Sequence, residues 1–257
     1  MARSIQWYGW HRDNPDHRDI RFKLSPPVVQ AIPPSIDLRT TGFLPPVYNQ
    51  QELGSCTANA SCAAYQFDQT KEGLPAWPTN PSRLFVYYNT RAIEGTTDQD
   101  SGGQIRDAVS SIVTYGTVPE EELPYDISSF TVKPSDTVYA RAIDHKATQY
   151  QSLNQSAFML KGALAMGHPV IFGFSVYDSF ESDAVASTGM VNLPTNSESC
   201  VGGHAVLIVG YDDATSRFTV RNSWGADWGM AGYFTMPYAY VLNNQLASDF
   251  WVITAVS

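Results

Sequence analysis

The chain has 257 residues and a net charge of −9, which excludes a nucleic-acid backbone binder, because that surface needs clustered Lys and Arg. Hydrophobic residues at 43% supply a core for one large domain or two modest ones. Three cysteines exclude a disulfide scaffold and a four-cysteine zinc site.

Residues 1–35 are polar, aromatic and Pro-rich, and end in the linker-like "SPPVVQAIPPS". The opening "MARSIQWYGWHRDNPDHRDIRF" lacks the apolar core of a signal peptide. No stretch is long and apolar enough for a membrane span, so no membrane partner is expected. Location stays open, with a secreted or extracytoplasmic one preferred. The cluster Trp7, Tyr8 and Trp10 is too apolar for a disordered linker and should seek a surface.

From Cys56, "CTANASCAAYQFDQTKEG" predicts a helix closed by Gly73. "SRLFVYYNTRAIEG" predicts a second helix. In a third, Ile105, Ala108, Val109, Ile112 and Val113 share one face and Gly116 is the stop. A fourth runs over about 156–166 and ends at Gly167. Apolar or alternating runs then follow: "VIFGFSV", "HAVLIVGY", "RFTVRNSW", "GYFTMPY" and "DFWVITAV", with "DDATSR" as a hairpin loop. The first half reads as helical and the second as antiparallel strand. That is an α+β pattern with two lobes and a cleft between them.

Three stretches carry the chemistry. Cys56, in "QELGSCTANASC", stands where a helix should begin, and a helix N-terminus favours thiolate. His204, in "VGGHAVLIVGY", opens a strand behind two glycines that allow another backbone to approach. Asn222, in "RNSWGADWGMAGYF", precedes Trp224 and Gly-rich turns. Singly, each has a structural reading: a small buried thiol, a strand-start histidine, an Asx turn beside a packed indole. The other histidines, His11, His17, His145 and His168, lack such a setting, and no metal-ligand spacing is present. No cofactor is expected.

Together the stretches resemble the papain-like cysteine peptidase family. The resemblance runs from about Ile32 to the C-terminus, and includes "IPPSIDLR", "PVYNQQELGSC", "SGG" at 101–103 and "GTVPEEELPYD". It implies a two-lobed α+β papain-like fold, with a helical lobe over about 40–147 and an antiparallel β-barrel-like lobe over about 148–248. The termini cross between lobes, and 1–31 stands as an N-terminal extension to a 32–257 peptidase domain. By resemblance Cys56 is the nucleophile, paired as thiolate with a His204 imidazolium that acts as base and proton donor. Asn222 orients the His204 ring under Trp224, and Gln50 with the Cys56 N–H forms the oxyanion hole. Gly102 and Gly103 pair with substrate backbone. Gly173, Gly203, Ala205 and Ser248 line substrate subsites, with Asp249 adjacent.

The implied activity is hydrolysis of peptides or proteins as an endopeptidase through an acyl-enzyme. Protein inhibitors of papain-like enzymes are further expected partners, as is the extension itself, in or near the cleft as a short pro-segment; the alternative for the extension is a brace packed on the back of a lobe. The alternatives are a Cys-His acyl transferase and a silenced peptide-binding relative. The chain departs from the family pattern at Thr57, which replaces a Trp, and at Leu53, which replaces a cysteine. Cys62 lies six positions after Cys56, about 240° round a helix, and so faces away from the cleft. A bridge between Cys62 and Cys200 stays open.

Overall fold

The computed structural model describes residues 8–75 and 77–257; Trp7, one of the three clustered aromatics, lies outside them. The short helix α1 (Pro26–Gln30) and strand β1 (Ser35–Asp37) lead into the long central helix α2 (Cys56–Lys71). Helices α3 (Arg83–Glu94), α4 (Ile105–Tyr115) and α5 (Asp136–Ala142) follow. Strand β2 (Ala147–Ser152) and helix α6 (Ala157–Ala165) precede β3 (Val170–Tyr177). The chain ends with α7 (Asp183–Thr188), β4 (Cys200–Asp212), β5 (Arg217–Arg221), β6 (Tyr233–Pro237), α8 (Tyr238–Val241) and β7 (Ala247–Val256).

Helix α2 is buried nearly all round, from Cys56 to Tyr65 and again from Phe67 to Gln69. The small residues Ala58, Ala60, Ala63 and Ala64 let it lie close against α3 and α4 on one side and β4 and β7 on the other. Helix α3 begins at Ser82, whose side chain accepts from the Phe85 N–H, and stops at Gly95 in the left-handed region. Helix α4 buries Ile105, Ala108, Val109 and Ile112, four of the five residues of the expected face, and Gly116 ends it.

The strands form one antiparallel sheet in the order β2-β7-β3-β4-β5-β6, with β1 added to β4. The expectation of a barrel-like lobe is corrected here: the sheet is open, because its end strands β2 and β6 do not pair with each other. The central strand β3 is almost wholly buried and β4 is buried from His204 to Tyr211, hence their continuous apolar runs. Gly173 stands opposite Ala205 of β4 and Ser248 of β7, so three small residues lie side by side across the sheet.

The extension does not end as a free linker. Phe22 N–H donates to Ser152 O (2.9 Å) and Ser152 N–H to Ile20 O (2.9 Å), which ties it to β2. The "SPPVVQAIPPS" stretch contains α1 rather than open linker alone. Leu24 packs against Gly162, where a larger side chain would overlap it.

Candidate active site

Cys56 is the first residue of α2 and has no exposed surface. His204 is buried in β4, opposite Phe174 of β3. Asn222 follows β5, and its Oδ1 lies 2.8 Å from His204 Nε2 and accepts from the Ser223 N–H at 2.8 Å. Because Oδ1 is the acceptor of a backbone N–H, it can only accept at His204 as well. His204 Nε2 therefore carries the hydrogen of this bond. Trp224 stacks on the His204 ring at 5.0 Å and 27°. The stacked indole lies over the ring that makes the His204–Asn222 bond.

Gln50 is buried and fixed from both ends of its amide. Ser223 Oγ donates to its Oε1 (2.6 Å), and its Nε2 donates to Leu53 O (3.0 Å). One Nε2 hydrogen faces the Leu53–Cys56 turn and the other is not used by Leu53. Ser223 is a residue that sequence reading missed: its hydroxyl decides which way the Gln50 amide points. Tyr125 was missed too. Its hydroxyl donates to Gln50 O (2.9 Å) and lies 2.5 Å from Ser55 Oγ, bracing both sides of the turn. The Arg83 guanidinium sits 3.9 Å over the Tyr125 ring and donates to Asn49 O, joining the same support.

The glycines come together at the other end of the site. Gly103 N–H donates to Gly9 O (2.7 Å), and Gly203 O accepts from the Trp10 N–H (2.9 Å). Residues 9–10 thus run parallel to the Gly102–Gly103 strand. The Trp10 indole lies on Gly173 and Gly203, where a methyl group would overlap it, and its Nε1–H donates to Asp249 Oδ2 (3.2 Å). Gly102 has a left-handed φ of 74°, and a side chain there would strike the Gly9 backbone. Tyr8 lies edge-on to His204 at 6.0 Å, and its hydroxyl donates to Glu181 (2.5 Å).

Electrostatics follow from this cover. Burial pushes the Cys56 thiol up to about 11, against backbone N–H groups of Ala205 and Gly9 that favour thiolate. Cover by residues 8–10 thus opposes ionisation of the Cys56 thiol, and the thiolate–imidazolium pair remains an expectation for the uncovered site. Asp13, beside Asp249, is pushed up by burial and by the Asp249 charge; Trp251 Nε1–H (2.7 Å) and the Arg106 N–H (3.2 Å) donate to it. His11 is raised by Glu94, 3.3 Å away.

All three cysteines are free, so the open question of a Cys62–Cys200 bridge is answered. Cys62 is buried and Cys200 exposed.

A model of the papain family of cysteine proteases matches residues 32–250. The crystal structure of Xylellain, a cysteine protease from Xylella fastidiosa, superimposes with a TM-score of 0.90 at 42% identity, covering 100% of this chain and 98% of that one. An uncharacterized peptidase C1-like protein of Acanthamoeba polyphaga mimivirus is 40% identical, over 97% of this chain and 87% of its own length. A cathepsin B-like protein of Giardia intestinalis is 32% identical over 79% of this chain and 68% of its own.

Proposed function

The chain belongs to the papain family of cysteine proteases and is a peptide hydrolase, and from that premise we propose that it works through Cys56 and His204 and is held latent by its own residues 8–24. The observation that carries the first part is the His204 Nε2–Asn222 Oδ1 bond of 2.8 Å under Trp224. It leaves His204 Nδ1 to take the Cys56 proton. The sulfur then attacks the scissile carbonyl, and the oxyanion meets the Gln50 Nε2–H and the Cys56 N–H. His204 returns the proton to the leaving amine. It next takes a proton from water, whose oxygen cleaves the thioester and restores the thiol.

Latency is supported by competition for the same backbone groups. Gly103 N–H and Gly203 C=O are what a substrate strand would pair with, and Gly9 and Trp10 already pair with them. The tether raises the effective concentration of the segment to roughly the millimolar range, so weak intrinsic affinity is enough. Gly173, Gly203, Ala205, Ser248 and Asp249 would form a roomy substrate pocket, the one the Trp10 indole fills.

An epoxide inhibitor of papain-type thiols tests the nucleophile. Mass spectrometry should place a single adduct on Cys56, absent in Cys56→Ala and slowed in His204→Ala. A thiol that stays unmodified on long incubation, with no peptide turnover, would refute the assignment.

A further inference from the structure

Between the nucleophile turn and the substrate-backbone glycines stands a carboxylate with no part in the reaction as described. Asp100 immediately precedes Ser101-Gly102-Gly103. Its Oδ1 and Oδ2 each accept from the Gly54 N–H at 3.1 Å, two residues before Cys56. Its Oδ1 also accepts from the Tyr87 hydroxyl at 2.5 Å, and that hydroxyl accepts from the Gly102 N–H at 3.0 Å. One relay therefore joins the turn that shapes the oxyanion site to the strand that receives substrate.

The surroundings are built for this contact. A Cβ at position 54 would come within 3.1 Å of Asp100 Oδ1, so glycine is what lets the carboxylate reach the backbone. Arg91, one turn after Tyr87 on α3, lies 4.1 Å over the Tyr87 ring and donates to Thr97 O and Gln99 O. It fixes the loop that delivers Asp100 and sets a positive charge near the carboxylate. The nucleophile turn has no covalent tie here, since Leu53 is not a cysteine and all three cysteines are free.

We propose that Asp100 is a positioning residue of this peptidase, clamping the Gly54–Cys56 turn against Gly102–Gly103 so that the oxyanion donors and the substrate backbone are held in register. Loss of the carboxylate leaves the Gly54 N–H without its acceptor and lets the turn drift. A displacement of about 1 Å in a reacting geometry is enough for roughly 10²-fold in rate. The inference rests on Cys56 as nucleophile.

The test separates two reactions of the same sulfur. Peptide turnover needs the oxyanion site. Alkylation by iodoacetamide needs only the Cys56–His204 pair: sulfur bonds to the methylene carbon and iodide leaves with the bonding electrons. Both are measured in the full chain carrying Trp10→Ala, so that every variant is equally open, and mass spectrometry locates the adduct. Asp100→Ala should lower kcat by about 10–100-fold while alkylation of Cys56 stays within about twofold. Asp100→Asn, a near-isosteric change that keeps one acceptor oxygen and the fold, should fall less. Tyr87→Phe, which removes only the link to Gly102, should act mainly on KM. An unchanged kcat in both Asp100 variants, or alkylation that falls in step with kcat, would overturn the proposal. Failure of Cys56 to alkylate while the exposed Cys200 does would instead refute the nucleophile assignment.

Discussion

The indole of Trp10 donates its Nε1–H to Asp249 Oδ2 at 3.2 Å, across Gly173 and Gly203, which are small enough to admit it. A residue of the N-terminal segment thus lies on two strand glycines of the sheet and gives Asp249 a donor.

Trp10→Ala in the full chain removes that anchor. A buried aromatic of this kind is typically worth about 2 kcal/mol, or about 30-fold in the docking equilibrium. Apparent kcat/KM for a peptide substrate should rise by up to that factor. Equal kcat/KM for both proteins would show that Trp10 only packs.

The pH dependence of docking follows from two groups. Asp13 is raised from its ordinary carboxylate value to about 7, by burial first and the Asp249 charge second; Arg106 is the cation that faces it, and Trp251 donates to it. His11 is raised first by its hydrogen bond to Glu94, with Asp107 and Asp13 also near. A docked Asp13 with a raised pKa binds a proton that the released one has given up, so docking is favoured in acid and weakens from about pH 4 to about 7. His11 adds stabilisation that is full below about 6.5 and is lost as pH rises through its raised value. Both signs agree: the extension should hold at pH 5 and loosen above 7. Limited proteolysis of residues 8–24 across this range measures it. The Asp13→Asn variant should lose much of the dependence, and faster proteolysis in acid would contradict the account.

The orienting residues should separate by kinetics. Gln50→Ala should lower kcat by about 10²–10³, as expected for one oxyanion donor. Ser223→Ala, which frees the Gln50 amide to turn over, should lower kcat by a smaller factor with little change in KM. Asn222→Ala should shift the pH profile as well, because it removes the acceptor that fixes the His204 tautomer. A Gln50→Ala enzyme within a factor of two of wild type would remove Gln50 from the oxyanion site.

Thiol counting tests the cover independently. The unfolded, unreduced chain should show three free thiols. In the folded full chain the exposed Cys200 should react first, Cys56 slowly under the extension, and the buried Cys62 not at all. A Cys56 that reacts as fast as Cys200 would mean that the cleft is open.

Much of this was legible in the residues. Periodicity and glycine stops placed α2, α3 and α4, and Cys56, His204 and Asn222 stood out through their flanking glycines and tryptophan. Helix α5 escaped notice, because seven residues with one buried alanine give no apolar stripe. Strand β2 escaped because it is a polar, bulged edge strand with little alternation. The open sheet could not be told from a barrel, since closure depends on whether two distant strands meet. Ser223, Tyr125 and Asp100 act through contacts between segments far apart in the chain, for which a single sequence carries no periodic signal.

The most direct measurement compares peptide turnover by the full chain with that of a chain beginning at Ile32, with melting temperatures recorded for both. The account predicts higher apparent kcat/KM in the shorter chain, faster epoxide labelling of Cys56, and loss of any slow activation phase. Unchanged turnover and labelling, with only a lower melting temperature, would make residues 8–24 a brace and contradict latency.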